Sequence, residues 1–257
     1  MEEEKIIIDD LMINYKIFGA KTNPPVLILH GWGIGSDAWI KTAEKIAHRG
    51  YWIVVPDMPG FGKTPPPPQA WSFNDYIAWI KNFVKTIQLD KFILIGHSFG
   101  GALSAKFAAV NPQMTTKLVL CDAAVIRRHR LGYRQKIAQF FAKNKQISRK
   151  LPLKLYPFLR KVVYRIGGAK DYAMAQGVMV QVFKNVSEYD SLEYCRQIIT
   201  PTLIIWGDKD KETPLSDANE INKAIAASKL EIIKGAGHKL HRTHPQMLAE
   251  KITDFIQ

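Results

Sequence analysis

The sequence predicts an α/β fold whose mostly parallel sheet is covered by helices on both faces. Short, continuously apolar runs alternate with helical patterns along most of the 257 residues. Strands buried on both faces have such uninterrupted apolar runs, and strand–helix alternation is typical of parallel pairing. Ligands of these sheets bind beyond the carboxyl ends of the strands. We therefore expect the polar residues that directly follow the apolar runs to converge on one edge: His30, Asp57, Ser98, Asp122, Asp210 and His238.

The predicted strands are rich in β-branched and aromatic residues and are bounded by turn residues. Residues 6–8 and 12–17 are expected to form an N-terminal hairpin around Asp9 and Asp10. Further strands are expected at 26–29, 52–55, 92–95, 118–121, 202–206 and 230–233. Segments with a helical period of apolar residues are found at 39–48, 73–87, 101–110, 215–227 and 245–256.

The composition is that of an ordinary globular protein, with 47% hydrophobic and 23% charged residues. No apolar run reaches membrane-spanning length, and the acidic start of the chain is the opposite of a secretory leader. Two cysteines, Cys121 and Cys195, make no disulfide framework, so we expect a reducing, cytoplasmic location. Because both cysteines flank the same insert, a disulfide between them is the alternative.

The positive charge of the chain is concentrated in one segment. The net charge is +13, and residues 127–196 alone contain 16 basic and 4 acidic residues. This segment also has helical periodicity and many aromatic residues, so we expect a core domain at 1–126 and 197–257 and a helical, basic insert at 127–196. The basic face is interpreted as a solvated surface, with attraction to anionic substrates or an anionic membrane surface as the alternative. Nucleic acid is disfavoured because no recognition motif accompanies the charge.

A serine stands in a glycine-rich turn between a predicted strand and a predicted helix. Residues 96–100 read Gly-His-Ser-Phe-Gly, which is the G-x-S-x-G pattern. A side chain at Gly96 or Gly100 would collide with a neighbouring element if the strand turns sharply into the helix. The hydroxyl of Ser98 is then exposed at a helix N-terminus, where free N–H groups favour developing negative charge. The pattern alone also fits a glycine-rich turn with an incidental serine.

Five motifs make the chain resemble the α/β-hydrolase family over nearly its whole length. They are His30-Gly31-Trp32-Gly33, Asp57-Met58-Pro59-Gly60-Phe61-Gly62, the serine turn, Trp206-Gly207-Asp208-Lys209-Asp210 and Gly235-Ala236-Gly237-His238. Their order places the serine first, an aspartate second and a histidine last, which is the order that this fold uses. The resemblance implies that residues 127–196 form a helical cap over the active site.

The resemblance also implies a catalytic triad. Ser98 would be the nucleophile, and His238 would be the base that accepts its proton. His241 and His244 are the competing histidines and are interpreted as a helix-start cap and a surface residue. Asp210 would orient the histidine, Asp122 is the alternative acid, and Asp208 is interpreted as a turn former. We expect His97 to point away from the site.

The remaining implied parts are the oxyanion hole and the substrate. The backbone N–H groups of Trp32 and Phe99 would form the oxyanion hole, and His30 would support the adjacent loop. We expect hydrolysis of a small-molecule carboxylic ester with an apolar acyl or alcohol part, without a cofactor or metal. Alternatives on the same triad are lipase, lactone, amide or thioester cleavage, perhydrolysis, and carbon–carbon hydrolysis of ring-cleavage products, which Lys239 after the histidine disfavours. A non-catalytic, receptor-like binding protein is the alternative outside enzymes.

Overall fold

A single eight-stranded sheet forms the centre of the molecule. The computed structural model describes residues 1–127 and 175–257, so residues 128–174 of the predicted insert lie outside the described residues. The strands are β1 (Glu2–Ile8), β2 (Leu11–Phe18), β3 (Pro25–Leu29), β4 (Trp52–Pro56), β5 (Phe92–His97), β6 (Thr115–Cys121), β7 (Thr202–Gly207) and β8 (Ser228–Ile233). Their order in the sheet is β1-β2-β4-β3-β5-β6-β7-β8.

The hydrogen-bonding directions confirm the predicted sheet. Strands β1 and β2 pair antiparallel as the expected hairpin, and β2 pairs antiparallel with β4. All pairs from β4 across to β8 are parallel. The carboxyl ends of these parallel strands therefore lie at one edge of the sheet, where the polar residues were expected.

Helices cover both faces of the sheet, as predicted. They are a 3₁₀ turn (Ser36–Trp39), α1 (Ile40–Ala47), α2 (Phe73–Thr86), α3 (Phe99–Val110), α4 (Val178–Ser187), α5 (Leu192–Cys195), α6 (Leu215–Ala224), α7 (Leu240–Thr243) and α8 (Pro245–Ile256). Strand β3 shows why two layers form, because its residues alternate between two cores. Leu27 and Leu29 belong to the core that also contains buried residues of α2, α3 and α6, whereas Val26 and Ile28 belong to the core that contains buried residues of α1 and α8.

All predicted boundaries but one lie within three residues of the observed ones; the exception is β1, which begins at Glu2, four residues before the predicted start at residue 6. Strand β8 begins at Ser228 rather than at residue 230, because it is an edge strand and its polar start pairs with Thr202 of β7. Helix α3 begins at Phe99 rather than at residue 101, directly after the serine. The first residues of α3 therefore lack the apolar periodicity from which the start of this helix was predicted.

Two short helices belong to the described end of the predicted insert. The buried residues of α4 are Met179, Val182, Phe183 and Val186, which share one face of the helix. Met179, Val182 and Val186 belong to the same core as buried residues of α2 and α3. Cys121 and Cys195 are both buried and both free thiols, which excludes the disulfide alternative. Within the described ranges, the structure contains no helix of the length and apolarity that a membrane span requires.

Candidate active site

The serine turn between β5 and α3 has the strained geometry that its glycines predict. Ser98 has a φ of 52° and a ψ of −115°, a backbone conformation that side-chain-bearing residues rarely adopt. A Cβ at Gly100 would lie 2.3 Å from the carbonyl oxygen of Leu29 and 2.5 Å from that of His30. A Cβ at Gly96 would lie 2.5 Å from the carbonyl oxygen of Gly100. The close approach of these backbones holds the partly exposed Ser98 at the end of the sheet.

Three predicted site residues form one hydrogen-bonded chain. Nε2 of His238 lies 2.9 Å from Oγ of Ser98, and Nδ1 of His238 lies 2.7 Å from Oδ2 of Asp210. These groups come from the turn after β5, the loop after β7 and the loop after β8. They are far apart in the sequence, and the parallel sheet brings them together at its carboxyl edge.

Asp210 is held by several donors besides the histidine. Its Oδ1 accepts hydrogen bonds from the backbone N–H groups of Glu212 (2.7 Å) and Thr213 (3.0 Å). Oγ1 of Thr213 donates to Oδ2 of Asp210 at 2.6 Å. Trp206 anchors this loop in turn, since its indole N–H donates to the carbonyl oxygen of Thr213. These contacts therefore fix the position of the carboxylate independently of its hydrogen bond with the imidazole.

Thr213 is a site residue that the sequence reasoning missed. Its hydroxyl oxygen also lies 3.2 Å from Nδ1 of His238, so it borders both the acid and the imidazole. The signal in the sequence is the Asp-x-x-Thr spacing from Asp210, because an aspartate commonly accepts hydrogen bonds from residues two and three positions on.

The electrostatics of the pair favour an ionised aspartate beside a basic histidine. Burial opposes the charge of Asp210, but hydrogen bonds from His238 and Thr213 lower the pKa of the carboxyl below its usual value. Burial likewise opposes protonation of His238, but the hydrogen bond and charge of Asp210 raise its pKa above the usual value. An imidazole with this partner accepts a proton more readily than an isolated buried one.

Asp122, the alternative acid, is near the imidazole but makes a different hydrogen bond. It is fully buried, and its Oδ1 accepts a hydrogen bond from the backbone N–H of Gly207 at 2.9 Å. Burial raises the pKa of Asp122 to about 7. The structure therefore pairs Nδ1 of His238 with Asp210 rather than with Asp122.

The expectations for two other histidines need correction. His97 was expected to point away, yet its ring centre lies 4.9 Å from that of His238, and its Nε2 lies 2.7 Å from the His238 carbonyl oxygen. His241 was expected to be a helix cap, yet it is buried and stacks on Trp39 with ring centres 5.1 Å apart. Its ring also packs 4.5 Å from that of His97. His97 ends β5 and His241 lies within α7, and their rings pack against each other beside His238.

Two more polar residues at the carboxyl edge of the sheet, His30 and Asp57, stabilise loops through hydrogen bonds. Nε2 of His30 accepts a hydrogen bond from the backbone N–H of Met58 at 3.0 Å, which is the predicted loop support. The carboxylate of Asp57 accepts from the backbone N–H groups of Ser36 (2.6 Å) and Lys63 (2.9 Å). Asp57 therefore ties together the loops that follow β3 and β4.

A cluster of aromatic side chains lies next to the loop that borders Ser98. The ring of Trp32 packs edge-on against Phe61, Phe99 and Phe183, with centres 4.8 to 5.6 Å apart. Phe183 belongs to α4, so the described end of the predicted insert touches the site. The backbone N–H of Phe99 is the first of α3 and has no acceptor within the helix. A Cβ at Gly31, next to Trp32, would lie 3.2 Å from Cβ of Ser98, so this loop borders the serine.

Three site residues are also close enough to be considered as metal ligands. Single donor atoms of His97, Asp122 and His238 lie within 4.8 Å of one another. Both ring nitrogens of His238 are already engaged, by Ser98 and by Asp210. The geometry therefore fits a hydrogen-bonded chain better than a metal site.

Comparisons with known proteins point to one fold family. Residues 24–245 match the family model described as alpha/beta hydrolase fold. A monoacylglycerol lipase of Mus musculus is 27% identical over 91% of this chain and 75% of its own. A non-heme chloroperoxidase of Streptomyces lividans is 25% identical over 97% of both chains. The solved structure of a membrane phospholipase A, described as a bacterial virulence factor, superposes with a TM-score of 0.77. It is 24% identical and covers 99% of this chain and 85% of that one.

The family match covers most of the chain, and the sheet order and serine turn agree with it. The chain belongs to the alpha/beta hydrolase fold family.

Proposed function

We propose that this protein is a serine hydrolase that cleaves carboxylic esters through an acyl-enzyme intermediate. The observation that carries the proposal is the continuous hydrogen-bonded chain from Asp210 through His238 to Ser98. A serine hydroxyl is a weak nucleophile at neutral pH and needs a base within hydrogen-bond reach. Here the base is present at 2.9 Å, and a carboxylate orients it from the other side.

The geometry supports the following acylation step. Oγ of Ser98 attacks the ester carbonyl carbon while its proton moves to Nε2 of His238. The resulting imidazolium is stabilised by the carboxylate of Asp210, which does not itself take the proton. The carbonyl oxygen becomes an oxyanion, and the backbone N–H groups of Trp32 and Phe99 are proposed to bind it. His238 then protonates the alcohol oxygen as the ester C–O bond breaks.

Deacylation uses the same groups in reverse roles. His238 removes a proton from a water molecule, whose oxygen attacks the acyl carbon of the Ser98 ester. The tetrahedral intermediate collapses, the proton returns to Oγ of Ser98, and the carboxylic acid leaves. The proposed cycle consumes one water molecule and contains no redox step.

The surroundings of the serine favour a lipophilic ester. Trp32, Phe61, Phe99 and Phe183 form an apolar aromatic cluster next to the serine turn, and binding sites lined by aromatic rings favour apolar acyl or alcohol groups. The similarity to a monoacylglycerol lipase points the same way. We propose that residues 127–196 form a helical insert over this pocket and that their basic excess attracts an anionic substrate or an anionic membrane surface.

Perhydrolysis is a second candidate, supported by the chloroperoxidase similarity over 97% of both chains. Hydrogen peroxide in place of water would attack the same acyl-enzyme and release a peracid. Formation of peracetic acid from acetate and hydrogen peroxide by wild type, absent in Ser98→Ala, would support it. Ester turnover without peracid formation would exclude it.

The test of the proposed function is a p-nitrophenyl ester series from acetate to palmitate. Wild type is compared with Ser98→Ala and with Ser216→Ala, a control that removes an exposed hydroxyl on α6. We expect turnover in wild type and in the control and its loss in Ser98→Ala. A maximum at long chains would indicate a lipase, and one at short chains a carboxylesterase. Equal rates in wild type and Ser98→Ala at every chain length would overturn the proposal.

A further inference from the structure

The carboxylate of Glu212 lies beside the imidazole nitrogen that faces the nucleophile. Its Oε2 is 3.5 Å from Nε2 of His238, and Oγ of Ser98 is 2.9 Å from the same nitrogen. Asp210 contacts the other ring nitrogen, Nδ1, at 2.7 Å. The two carboxylates therefore occupy different places around the imidazole. Asp210 lies behind it, whereas Glu212 lies next to the nitrogen that would exchange protons with the reacting groups.

The loop after β7 fixes the backbone of Glu212 and leaves its side chain open to solvent. The N–H of Glu212 donates to Oδ1 of Asp210 at 2.7 Å, and the N–H of Thr213 donates to the same oxygen at 3.0 Å. The Glu212 side chain is 49% exposed, whereas those of Asp210 and His238 are 0% and 9% exposed. Glu212 is therefore an anchored carboxylate on the side of the catalytic pair that water can reach.

Acylation changes what Nε2 of His238 can bind. Once Oγ of Ser98 is esterified it has no proton to donate, so Nε2 can accept a hydrogen bond from a water molecule. Because Nε2 and Oε2 of Glu212 are 3.5 Å apart, one water oxygen can lie within about 3 Å of both atoms. Water has two O–H groups, one for each acceptor. Two acceptors restrict the orientation of the water, and an oriented nucleophile reacts faster.

We propose that Glu212 binds the hydrolytic water of the deacylation step as a second acceptor beside His238. The inference rests on the proposed function, because it concerns the acyl-enzyme on Ser98. One proton of the water moves to Nε2 as the water oxygen bonds to the acyl carbon. The other O–H bond stays intact and donates to Oε2 of Glu212. The bond from the acyl carbon to Oγ then breaks, Oγ takes the proton from Nε2, and the carboxylic acid leaves.

Methanol, as a nucleophile that competes with water, separates this role from a general effect on the imidazole. Methanol has one O–H group, whose proton goes to Nε2 of His238, so it has no proton left to donate to Glu212. Burial opposes protonation of His238, whereas Asp210 and the charge of Glu212 raise its pKa. A change in that pKa affects attack by water and by methanol alike. The ratio of methyl ester to carboxylic acid therefore reports the contact between Glu212 and water.

The experiment measures this product ratio during turnover of a p-nitrophenyl ester in water that contains methanol. We expect the ratio to rise about tenfold in Glu212→Ala, the effect of losing one hydrogen bond to a charged group. Glu212→Gln keeps an acceptor oxygen, so its ratio should stay within about threefold of wild type. The matched control, Glu44→Ala, removes an exposed glutamate on α1 and should leave the ratio unchanged.

The outcomes distinguish the inference from the function on which it rests. Both products come from the same acyl-enzyme, so their ratio depends neither on the fraction of folded protein nor on which step limits turnover. An equal ratio in wild type and Glu212→Ala, with hydrolysis that still requires Ser98, overturns the role of Glu212 and leaves the proposed function standing. A wild-type protein that forms no acyl-enzyme on Ser98 overturns the proposed function and this inference with it.

Discussion

Replacing Thr213 by valine removes one hydroxyl from the hydrogen-bonded chain and leaves the rest intact. Oγ1 of Thr213 donates at 2.6 Å to Oδ2 of Asp210, the same oxygen that accepts from His238. Valine has nearly the same shape, and the two backbone N–H donors to Oδ1 remain. Loss of the hydroxyl leaves Oδ2 with one donor fewer in a side chain that is completely buried. The carboxylate is then less well held and less well stabilised when the imidazolium forms.

The magnitude follows from the type of hydrogen bond. A hydrogen bond to a charged group contributes about 1.5–3 kcal/mol. We take the lower end because Asp210 keeps three other donors, and about 1.4 kcal/mol is a factor of ten in rate. We therefore expect Thr213→Val to lower kcat about tenfold with little change in KM.

The assay is steady-state ester hydrolysis, with thermal unfolding measured in parallel. Thr213→Ser keeps the hydroxyl and should restore most of the activity. Thr202→Val is the matched control, because Thr202 is equally buried and donates to the carbonyl oxygen of Thr200, away from the site. It should lose stability but not kcat. A Thr213→Val protein with more than half of the wild-type kcat would refute the reasoning.

Two further predictions concern the turn and the pH profile. Gly100→Ala places a Cβ 2.3 Å from the carbonyl oxygen of Leu29, so we expect a loss of several kcal/mol in the free energy of unfolding. Gly237→Ala, whose Cβ would lie 3.7 Å from its nearest neighbour, should cost far less, and equal midpoints in urea for the two variants would contradict this account. If His238 is the base, as proposed, it must be neutral to act. Because Asp210 raises its pKa, activity should then fall with decreasing pH around a midpoint above the usual histidine value of about 6.5. In Asp210→Asn this midpoint should move to lower pH, and an unchanged midpoint would argue against the pairing of the two side chains.

Much of the fold could be predicted because its strands are buried on both faces. Uninterrupted apolar runs mark β3 to β7, and the glycines around Ser98 mark the sharp turn into α3. The edge strand β8 was predicted too short, because an edge strand does not need to be apolar along its length.

The site could be predicted only where a local motif marks a residue. The motifs selected Ser98 and His238, but the choice between Asp122 and Asp210 depends on which carboxyl reaches Nδ1 of His238. That distance depends on how two neighbouring strands end, and no local pattern encodes it. The buried position of the His241 ring likewise depends on tertiary packing, since Trp39, on which it stacks, lies some 200 residues earlier in the chain.

The central claim is that Ser98 is an activated nucleophile, and covalent labelling by a fluorophosphonate tests it most directly. Only a serine with a base in place reacts readily with this probe. We predict one adduct per chain on Ser98, found by mass spectrometry of peptides, with labelling lost in Ser98→Ala and retained in Ser216→Ala. A folded wild-type protein that stays unlabelled, or that is labelled equally in Ser98→Ala, would contradict the account.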